Sequence, residues 1–332
     1  MFDYLPMLNF DYMVQARGLA KRFPSRQGGV DAVRSVDLDV GTGEIVGFLG
    51  PNGAGKTTTL RMLTTLLGPS AGSATVAGHD LRTEPVQVRS QIGYVPQRGS
   101  TTPQAQVGEE LVDHGRLHGL ARVEAANRGR RLIEQLDLDG TWERPTGTLS
   151  GGQRRRLDVA LGLINQPPLL FMDEPTTGLD PQSRANLWQH IRGLRDDRGV
   201  TVFLTTHYLE EADSLCDRIL VIDHGEIVAR GTPAELKRAV SGDRVGLQLS
   251  DPDRVAAARA VLERVPELTI LRAEGDLIDF NIPDAGVTLP ALLAALSGAG
   301  AGLSGIEVRR PTLDDVFLSL TGRELRDQAA AA

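Results

Sequence analysis

The sequence predicts an α/β fold in its first two-thirds and a smaller α+β unit in the remainder. From Met13 onward, short apolar runs alternate with helical patterns, which is typical of a sheet with helices on its faces. After the stretch "GTPAELKRAV" the segments become shorter and their order changes. At 332 residues the chain is long enough for one domain of about 200 residues and a second, smaller one.

Three apolar runs predict the buried strands of the first domain. They are "EIVGFLG" (44–50), "LLFMD" (169–173) and "VTVFLTT" (200–206). Runs of this length with few polar residues are typical of strands that are covered on both faces, as in a parallel sheet. The stretch "KTTTLRMLTTLL" (56–67) predicts a helix directly after the first strand.

Two further features complete the first domain. "RILVID" and "EIVARG" are joined by His224-Gly225, which predicts a hairpin with a two-residue turn. Between Gly99 and Thr148 the pattern is polar and helical, which predicts a helical insert without a strand of its own.

The last third of the chain predicts the order βαββαβ. The segments are "RVGLQLS", "DRVAAARAVLERV", "LTILRAE", "LIDFNIP", "TLPALLAALSG" and "GIEVRRP". This is the order of a ferredoxin-like domain, which is our expectation for the α+β unit. A final helix, "TLDDVFLSLTG", begins at a threonine cap.

These patterns divide the chain into four parts. We expect a flexible extension at 1–12, a first domain at 13–240 with a helical subdomain at about 99–165, an accessory or regulatory domain at 241–325, and a disordered tail at 326–332.

Composition limits the environment and the partners of the protein. The net charge of −7 argues against a nucleic-acid-binding protein, which usually has a basic face. The single cysteine, Cys216, cannot form an internal disulfide, so a reducing cytoplasm is expected. No apolar run approaches the about 20 residues that cross a bilayer. Any action at a membrane therefore requires a membrane-bound partner.

The stretch "GPNGAGKTT" (50–58), called the phosphate loop below, predicts binding of a nucleoside triphosphate. It matches G-x-x-x-x-G-K-[ST] between a predicted strand and a predicted helix. Its glycines allow the backbone N–H groups to surround the β- and γ-phosphates. Lys56 adds a positive charge, and Thr57 offers a hydroxyl to Mg²⁺. The predicted contacts are Gly50, Pro51, Asn52, Gly53, Ala54, Gly55, Lys56, Thr57 and Thr58.

Polar residues at strand ends predict hydrolysis of that nucleotide. Asp173 ends a buried strand and can hold the Mg²⁺ shell, and the next residue, Glu174, can activate the attacking water as a general base. His207 ends another strand, "FLTTH", and is expected at the γ-phosphate, because parallel strands gather ligands at their carboxyl ends. Gln97, at the end of "IGYVPQ", is expected to reach Mg²⁺ or water.

A second anion site is indicated by "TLSGGQRRR" (148–156), far along the chain from the phosphate loop. Ser150 can cap the helix that follows, and Gly151-Gly152 allow its N-terminus to approach a phosphate. Arg154, Arg155 and Arg156 oppose the helix dipole. Either an anion from outside compensates them or they form a solvated basic face. If this second anion site cannot reach the nucleotide of its own chain, a two-fold dimer would bring it to the phosphates bound by the partner.

The phosphate loop, "LSGGQ", "LLFMDE", "TTGLD" and "TTH", in this order, resemble the ATP-binding subunits of ABC transporters. The resemblance covers about residues 14 to 235. It implies a phosphate-loop NTPase fold, ATP and Mg²⁺ as cofactors, and Mg²⁺ contacts from Thr57, Gln97 and Asp173. It also implies a homodimer in which both sites are active and catalysis involves Glu174 and His207.

The same resemblance implies further residue roles. Phe23 of "LAKRF" would stack on adenine, Gln97 would couple the site to the transport partner, and Asp180 would lie at the dimer seam. The signature segment would act on the opposite subunit's ATP, and its residues are Leu149, Ser150, Gly151, Gly152 and Gln153. Thr177-Gly178 differs from the Ser-Ala of many relatives.

The tail narrows the resemblance. "RRPTLDDVFLSLTGRE" and "GLDPQSRANLWQHI" resemble drug-export ATPases of the daunorubicin-resistance type. In that group a separately encoded membrane protein forms the pore. The resemblance therefore implies export of amphipathic small molecules by a peripheral subunit on the cytoplasmic face of the cell membrane, with no nucleic acid as partner.

The sequence leaves two alternatives open within transport and disfavours two other interpretations. The chain could serve lipid or glycan export, or import with a regulatory tail. A soluble ATPase that acts on DNA or ribosomes is disfavoured, because the chain has no sustained heptads, one cysteine and one phosphate loop. A zinc site at His114 and His118 is also disfavoured, because the Glu of H-E-x-x-H is missing.

Overall fold

The computed structural model describes residues 11–24, 29–99, 101–240 and 242–321. Most of the predicted extension at 1–12 and the whole predicted tail at 326–332 lie outside the described residues. The chain divides into two compact units that meet between Arg230 and Gly231. Each unit is described separately below.

The first unit contains strands β1 to β10 and helices α1 to α7. Its strands are β1 (Tyr12–Phe23), β2 (Val30–Gly41), β3 (Ile45–Leu49), β4 (Ala71–Val76), β5 (His79–Asp80), β6 (Ile92–Val95), β7 (Leu169–Asp173), β8 (Thr201–Thr206), β9 (Arg218–Asp223) and β10 (Glu226–Gly231). Its helices are α1 (Lys56–Leu63), α2 (Pro85–Gln91), α3 (Val107–Leu117), α4 (Arg122–Gln135), α5 (Gly151–Leu163), α6 (Pro181–Arg198) and α7 (Leu209–Leu215).

Within the described part of the chain, all ten strands of this unit join one sheet. The order is β5-β4-β1-β2-β10-β9-β3-β8-β7-β6. The β1–β2, β1–β4 and β4–β5 pairs are antiparallel, whereas β9, β3, β8, β7 and β6 pair in parallel. The three predicted apolar strands are the central β3, β8 and β7, and every residue of these strands is buried. The predicted α/β fold class is therefore confirmed.

Local geometry explains where some elements end. The predicted helix at 56–67 ends earlier, at Leu63, because Thr65 adopts a φ of 60° that an α-helix does not allow. The predicted hairpin between β9 and β10 turns at His224 and Gly225, which both have positive φ. Two such residues suit a type I′ turn, which matches the twist of the flanking strands.

The predicted helical insert consists of α3, α4 and a short 3₁₀ helix at Thr146–Thr148. An isolated bridge between Gln106 and Pro145 closes its base. Helix α3 starts with a capping box in which Gln106 and Glu109 satisfy each other's backbone N–H groups. The insert leads directly into α5, so the start of α5 is held at the edge of this helical segment.

The second unit contains α8 (Pro233–Val240), β11 (Asp243–Leu249), α9 (Val255–Leu262), β12 (Thr269–Glu274), β13 (Leu277–Ile282), α10 (Ala285–Gly298), β14 (Leu303–Arg309) and α11 (Leu313–Thr321). Its four-stranded sheet has the order β12-β13-β11-β14 with antiparallel pairs. This is the order of a ferredoxin-like sheet. Its core contains Phe280, Val245 and Leu296.

Helix α8 groups with the second unit, because it packs against α11. The structure divides the units between Arg230 and Gly231, before α8, whereas the sequence predicted a boundary between residues 240 and 241, after α8. The two positions differ by ten residues. Thr312 caps α11 as expected, since its hydroxyl accepts from Asp315 N at 3.3 Å. Among the described residues no helix is both long and apolar enough to cross a membrane.

Candidate active site

One edge of the parallel sheet collects the polar residues that the sequence singled out. Leu49 of β3 lies opposite Thr206 of β8, and Asp173 of β7 lies opposite Thr205. The residues that follow these strands are Gly50, His207 and Glu174. Because neighbouring parallel strands end at the same edge, the phosphate loop, the acidic residues and the histidine meet there.

Lys56 is buried at the centre of this edge, with 4% of its surface exposed. Its Nζ donates to the carbonyl oxygens of Gly50 at 2.7 Å and Pro51 at 3.1 Å. Burial lowers the pKa of Lys56, and the charges of Glu174 and Asp173 oppose this shift. Gly55 has a φ of 107°, and an added Cβ there would come within 2.6 Å of Ala32 O. Only glycine therefore fits this position of the loop.

Asp173 accepts a hydrogen bond from Thr57, the residue that follows Lys56. Its Oδ1 accepts from Thr57 Oγ1 at 3.0 Å and from Thr205 Oγ1 at 2.7 Å. A carboxylate and a hydroxyl side by side are oxygen ligands of the type that Mg²⁺ prefers. The donor set that the sequence predicted for the metal thus fits such an ion at Thr57 and Asp173.

Glu174 is held by contacts on both carboxylate oxygens, and 6% of its surface is exposed. Oε1 lies 3.4 Å from Lys56 Nζ. Oε2 accepts from Gln97 Nε2 at 2.8 Å and from Thr177 Oγ1 at 3.2 Å. His207 Nδ1 lies 3.3 Å from Oε2, but its angle does not make a hydrogen bond.

These neighbours control the charge of the carboxylate. Burial raises the pKa of Glu174, but contact with His207 and the positive charge of Lys56 outweigh this effect and lower it to about 2. Glu174 is therefore ionised at neutral pH. Its backbone φ of 44° is unusual for a residue other than glycine, and its N–H donates to Thr205 Oγ1 at 2.9 Å.

The signature segment forms the start of α5 and lies far along the chain from the phosphate loop. As predicted, Ser150 caps this helix, because its Oγ accepts from Gln153 N at 3.2 Å. Gln153 Oε1 accepts from Ser150 N at 3.1 Å in return, which completes a capping box. Ser150 and Gln153 are thus satisfied by each other, and the remaining N–H groups of the first turn point along the helix axis.

Of the three arginines after the signature segment, Arg154 is exposed, as the solvated-face interpretation expects, whereas the other two have partners inside the subunit. Arg155 is buried and donates to backbone carbonyl groups inside its own subunit, including Pro96 O at 2.6 Å. Arg156 contacts Asn186 and donates to Asp137 O. The expectation of a solvated face or an external anion is therefore wrong for Arg155, because its charge is neutralised internally.

Two predicted residues lie apart from these contacts. Phe23 ends β1 with 38% of its surface exposed, and Lys21 Nζ lies 5.3 Å from its ring centre. Asp180 caps α6, where its Oδ1 accepts from Ser183 N at 2.9 Å and its Oδ2 from Ser183 Oγ at 2.7 Å. Both side chains are exposed enough to meet a ligand or a second subunit.

Sequence reasoning assigned no role in the site to Thr205 or Thr177 and gave Arg155 only a part in balancing charge at the start of α5, yet all three contact the site. A threonine inside the apolar run "VFLTTH" was the available signal for Thr205. Thr177 was noted only as a departure from Ser-Ala. Nothing in the local pattern distinguished Arg155 from its neighbours, because its partners lie in other segments.

Two family models match the chain. The model described as ABC transporter matches residues 33–177. The model described as ATP-binding protein DrrA1-3-like, C-terminal domain, matches residues 231–321. The two matches fall in the first and the second unit, respectively.

Curated proteins match over nearly the whole length. The daunorubicin resistance ATP-binding protein DrrA3 of Streptomyces coeruleorubidus is 43% identical over 97% of this chain and 99% of its own. The Nod factor export ATP-binding protein I of Cupriavidus metallidurans is 41% identical over 95% and 99%.

Solved structures match about two-thirds of the chain. A dimeric post-hydrolysis ATP-binding cassette, MJ0796 bound to ADP and Pi, superposes with a TM-score of 0.62 at 25% identity. The match covers 66% of this chain and 98% of the cassette.

Proposed function

The chain belongs to the ATP-binding proteins of ABC transporters, and we propose that it powers export of amphipathic small molecules of the drug or antibiotic type through a separately encoded membrane permease. Binding and hydrolysis of ATP are the activity of this family. The observation that carries the proposal is the 43% identity to a daunorubicin resistance protein over both units, including the C-terminal one.

The proposed site uses the contacts at the sheet edge. The phosphate loop from Gly50 to Thr58 binds the β- and γ-phosphates, with Lys56 released from its carbonyl partners to pair with them. Phe23 stacks on the adenine. Glu174, ionised because its pKa is low, accepts a proton from the attacking water. His207 orients the γ-phosphate beside it.

The residues that would hold Mg²⁺ are Thr57, Asp173 and Gln97, of which Thr57 and Asp173 are already in contact. Mg²⁺ held there would supply positive charge that offsets the negative charge developing on the phosphates during the reaction. Thr205 keeps the Asp173 carboxylate oriented through its hydroxyl at 2.7 Å. Gln97 donates to Glu174 through its amide nitrogen, and its side-chain oxygen would be the atom that reaches the metal or water.

We place the reaction in a homodimer. The signature segment of one subunit, from Leu149 to Gln153, covers the ATP of the other, and Asp180 lies at the seam. The start of α5 offers backbone N–H groups and a positive dipole end to the γ-phosphate. The similar cassette MJ0796 is dimeric, which supports this arrangement.

Closure of the dimer is the step that does work. ATP binds the closed dimer better than the open one, because only in the closed dimer does the partner's signature segment contact the ATP. This difference in affinity drives closure. Hydrolysis removes the γ-phosphate and reopens the pair. The permease responds to closure through residues 96–99, called the Gln97 segment below. Contact with the permease would hold the protein at the cytoplasmic face of the cell membrane.

A second candidate substrate class has its own support. The relative named for Nod factor export is 41% identical, only slightly less than the daunorubicin resistance protein. Export of a lipid or glycan is therefore the alternative that the experiment must separate from drug export.

The experiment uses the chain reconstituted in vesicles together with its separately encoded permease. Drug export predicts that an anthracycline raises ATP hydrolysis and accumulates on the far side of the membrane in an ATP-dependent way. Stimulation by lipids or glycans but not by the drug would favour the alternative. The variant Glu174→Gln serves as the inactive control for both transport and hydrolysis.

A further inference from the structure

Arg155 lies one turn into α5, with 7% of its surface exposed. Its guanidinium donates to three backbone carbonyl oxygens. Nε donates to Pro175 O at 2.7 Å, Nη1 to Pro96 O at 2.6 Å and Nη2 to Asp173 O at 3.2 Å. All three acceptors belong to segments that are remote from Arg155 in sequence.

The acceptors are the immediate neighbours of two predicted site residues. Pro96 precedes Gln97, while Asp173 and Pro175 lie on either side of Glu174. Gln97 and Glu174 are themselves joined by a hydrogen bond of 2.8 Å. One side chain from α5 therefore fixes the backbone on which both of these side chains are mounted.

Asp158 completes the arrangement from the next turn of α5. Its Oδ2 lies 3.5 Å from Arg155 Nη1, and 6% of its surface is exposed. Its carboxylate also lies against Gly99, where an added Cβ would come within 2.8 Å of Oδ1. The Arg155–Asp158 pair thus contacts the Gln97 segment on both sides, at Pro96 and at Gly99.

The chemistry of the position requires a guanidinium. Its planar group carries donors in fixed directions and can serve three acceptors at once, whereas an ammonium group on a flexible stem is a point charge. A buried charge with its hydrogen bonds and counter-ion in place is stable, but removal of one partner leaves the other groups unsatisfied.

We propose that Arg155 is a positioning residue for ATP hydrolysis, which sets the placement of Gln97 and Glu174 and links both to the helix that begins at the signature segment. The proposal rests on the proposed roles of Gln97, Glu174 and the signature segment. A shift of α5, when its start engages the partner's ATP, moves the carbonyl partners of Arg155 in the same subunit. Each site therefore responds to occupation of the other.

The first test compares Arg155→Lys with Arg17→Met. Arg17 is a matched control, because it donates to Ala16 O, Leu38 O and Asp39 Oδ1 on the surface, away from the site. Arg155→Lys keeps the buried charge beside Asp158 but cannot serve the three carbonyl groups. We expect its kcat to fall by at least about tenfold with a KM for ATP within about twofold, and we expect no change for Arg17→Met.

A second variant protects the test against a folding defect. Arg155→Met with Asp158→Leu removes both buried charges together, an exchange that often leaves stability unchanged. Its thermal midpoint is measured beside that of the wild type. A fall in kcat for this folded variant supports the proposal, and a kcat equal to that of Arg17→Met overturns it.

A double-variant cycle measures the coupling between two residues in kcat, which a general loss of structure would not produce. If Arg155 acts through the Gln97 segment, Arg155→Lys combined with Gln97→Ala lowers kcat by less than the product of the two single effects. Arg17→Met combined with Gln97→Ala gives the simple product. A product relation for Arg155→Lys overturns the proposal. Turnover retained by Glu174→Gln would instead overturn the proposed role of Glu174, on which this inference rests, so the two failures are distinguishable.

Discussion

The amide of Gln97 donates to the carboxylate of Glu174, with 2.8 Å between Nε2 and Oε2. Gln97 follows β6 and Glu174 follows β7, which are neighbours in the parallel sheet. A movement of the Gln97 segment therefore changes a hydrogen bond to the carboxylate that is proposed to activate water. This contact gives the proposed coupling between permease and hydrolysis a specific structural basis.

The variant Gln97→Glu tests this contact. It replaces the hydrogen-bond donor with a second carboxylate beside Glu174 Oε2. The two negative charges repel each other and displace the Glu174 side chain from the position in which it would meet the attacking water. We expect kcat at pH 7 to fall by at least about tenfold, and by less in Gln97→Ala, which removes the hydrogen bond and the proposed metal contact but adds no repulsion. Steady-state ATPase assays over a range of pH values measure both. Equal rates for Gln97→Glu and wild type would show that the contact has no role in turnover.

Glu174→Gln should separate binding from hydrolysis. The amide keeps the shape of the carboxylate but cannot accept the proton of the attacking water, so turnover should fall by about 100-fold or more. ATP binding should persist, and ATP should hold the protein as a dimer in size-exclusion chromatography. Glu226→Gln, an exchange at an exposed glutamate, is the matched control and should behave as wild type. A near-normal rate in Glu174→Gln would remove this residue from its role.

The low pKa of Glu174 also predicts how stability depends on pH. The pKa falls from 4.5 to about 2 on folding, so the ionised carboxylate stabilises the fold above pH 4.5 and this contribution is lost as the pH falls towards 2. The difference in unfolding free energy between wild type and Glu174→Gln should shrink by about 2 kcal/mol between pH 5 and pH 3. Urea denaturation at each pH measures it. A difference that stays constant or grows would contradict the ionised state described here.

The division between the units predicts where the chain can be truncated. Helix α8 packs against α11, and Leu236 of α8 has 5% of its surface exposed. Truncation after Val240 removes α11 and exposes this apolar side, whereas truncation after Arg230 removes both helices. We expect the shorter protein to stay monodisperse in size-exclusion chromatography and the longer one to aggregate. The opposite result would place α8 with the first unit.

Much of the first unit could be predicted from the sequence, because its central strands are buried on both faces. The runs at 44–50, 169–173 and 200–206 contain few polar residues for this reason, and they lead directly into Gly50, Glu174 and His207. The phosphate loop could be predicted because its conformation needs positive φ angles, which glycine adopts readily at Gly53 and Gly55. The boundary of α1 could not be predicted, since the left-handed φ of Thr65 is a property of its packing and not of threonine.

The contacts of Arg155 show why part of the site could not be predicted. Three adjacent arginines have the same charge and similar helix propensity, but only the structure reveals that one of them is surrounded by Pro96, Asp173 and Pro175. Glu211 is a second example. It is buried in α7 and accepts from Trp188 Nε1 at 3.1 Å, a partner 23 residues away in the sequence. Long-range polar contacts leave no local pattern.

The central claim is that each ATP is hydrolysed between two subunits, with the signature segment supplied by the partner. The direct measurement is ATPase activity per subunit over a dilution series, with the mass of the particle determined by light scattering at each concentration. The account predicts that activity per subunit falls with the fraction of dimer and vanishes where only monomer is present in saturating ATP. Full activity per subunit in samples that contain only monomer would contradict it.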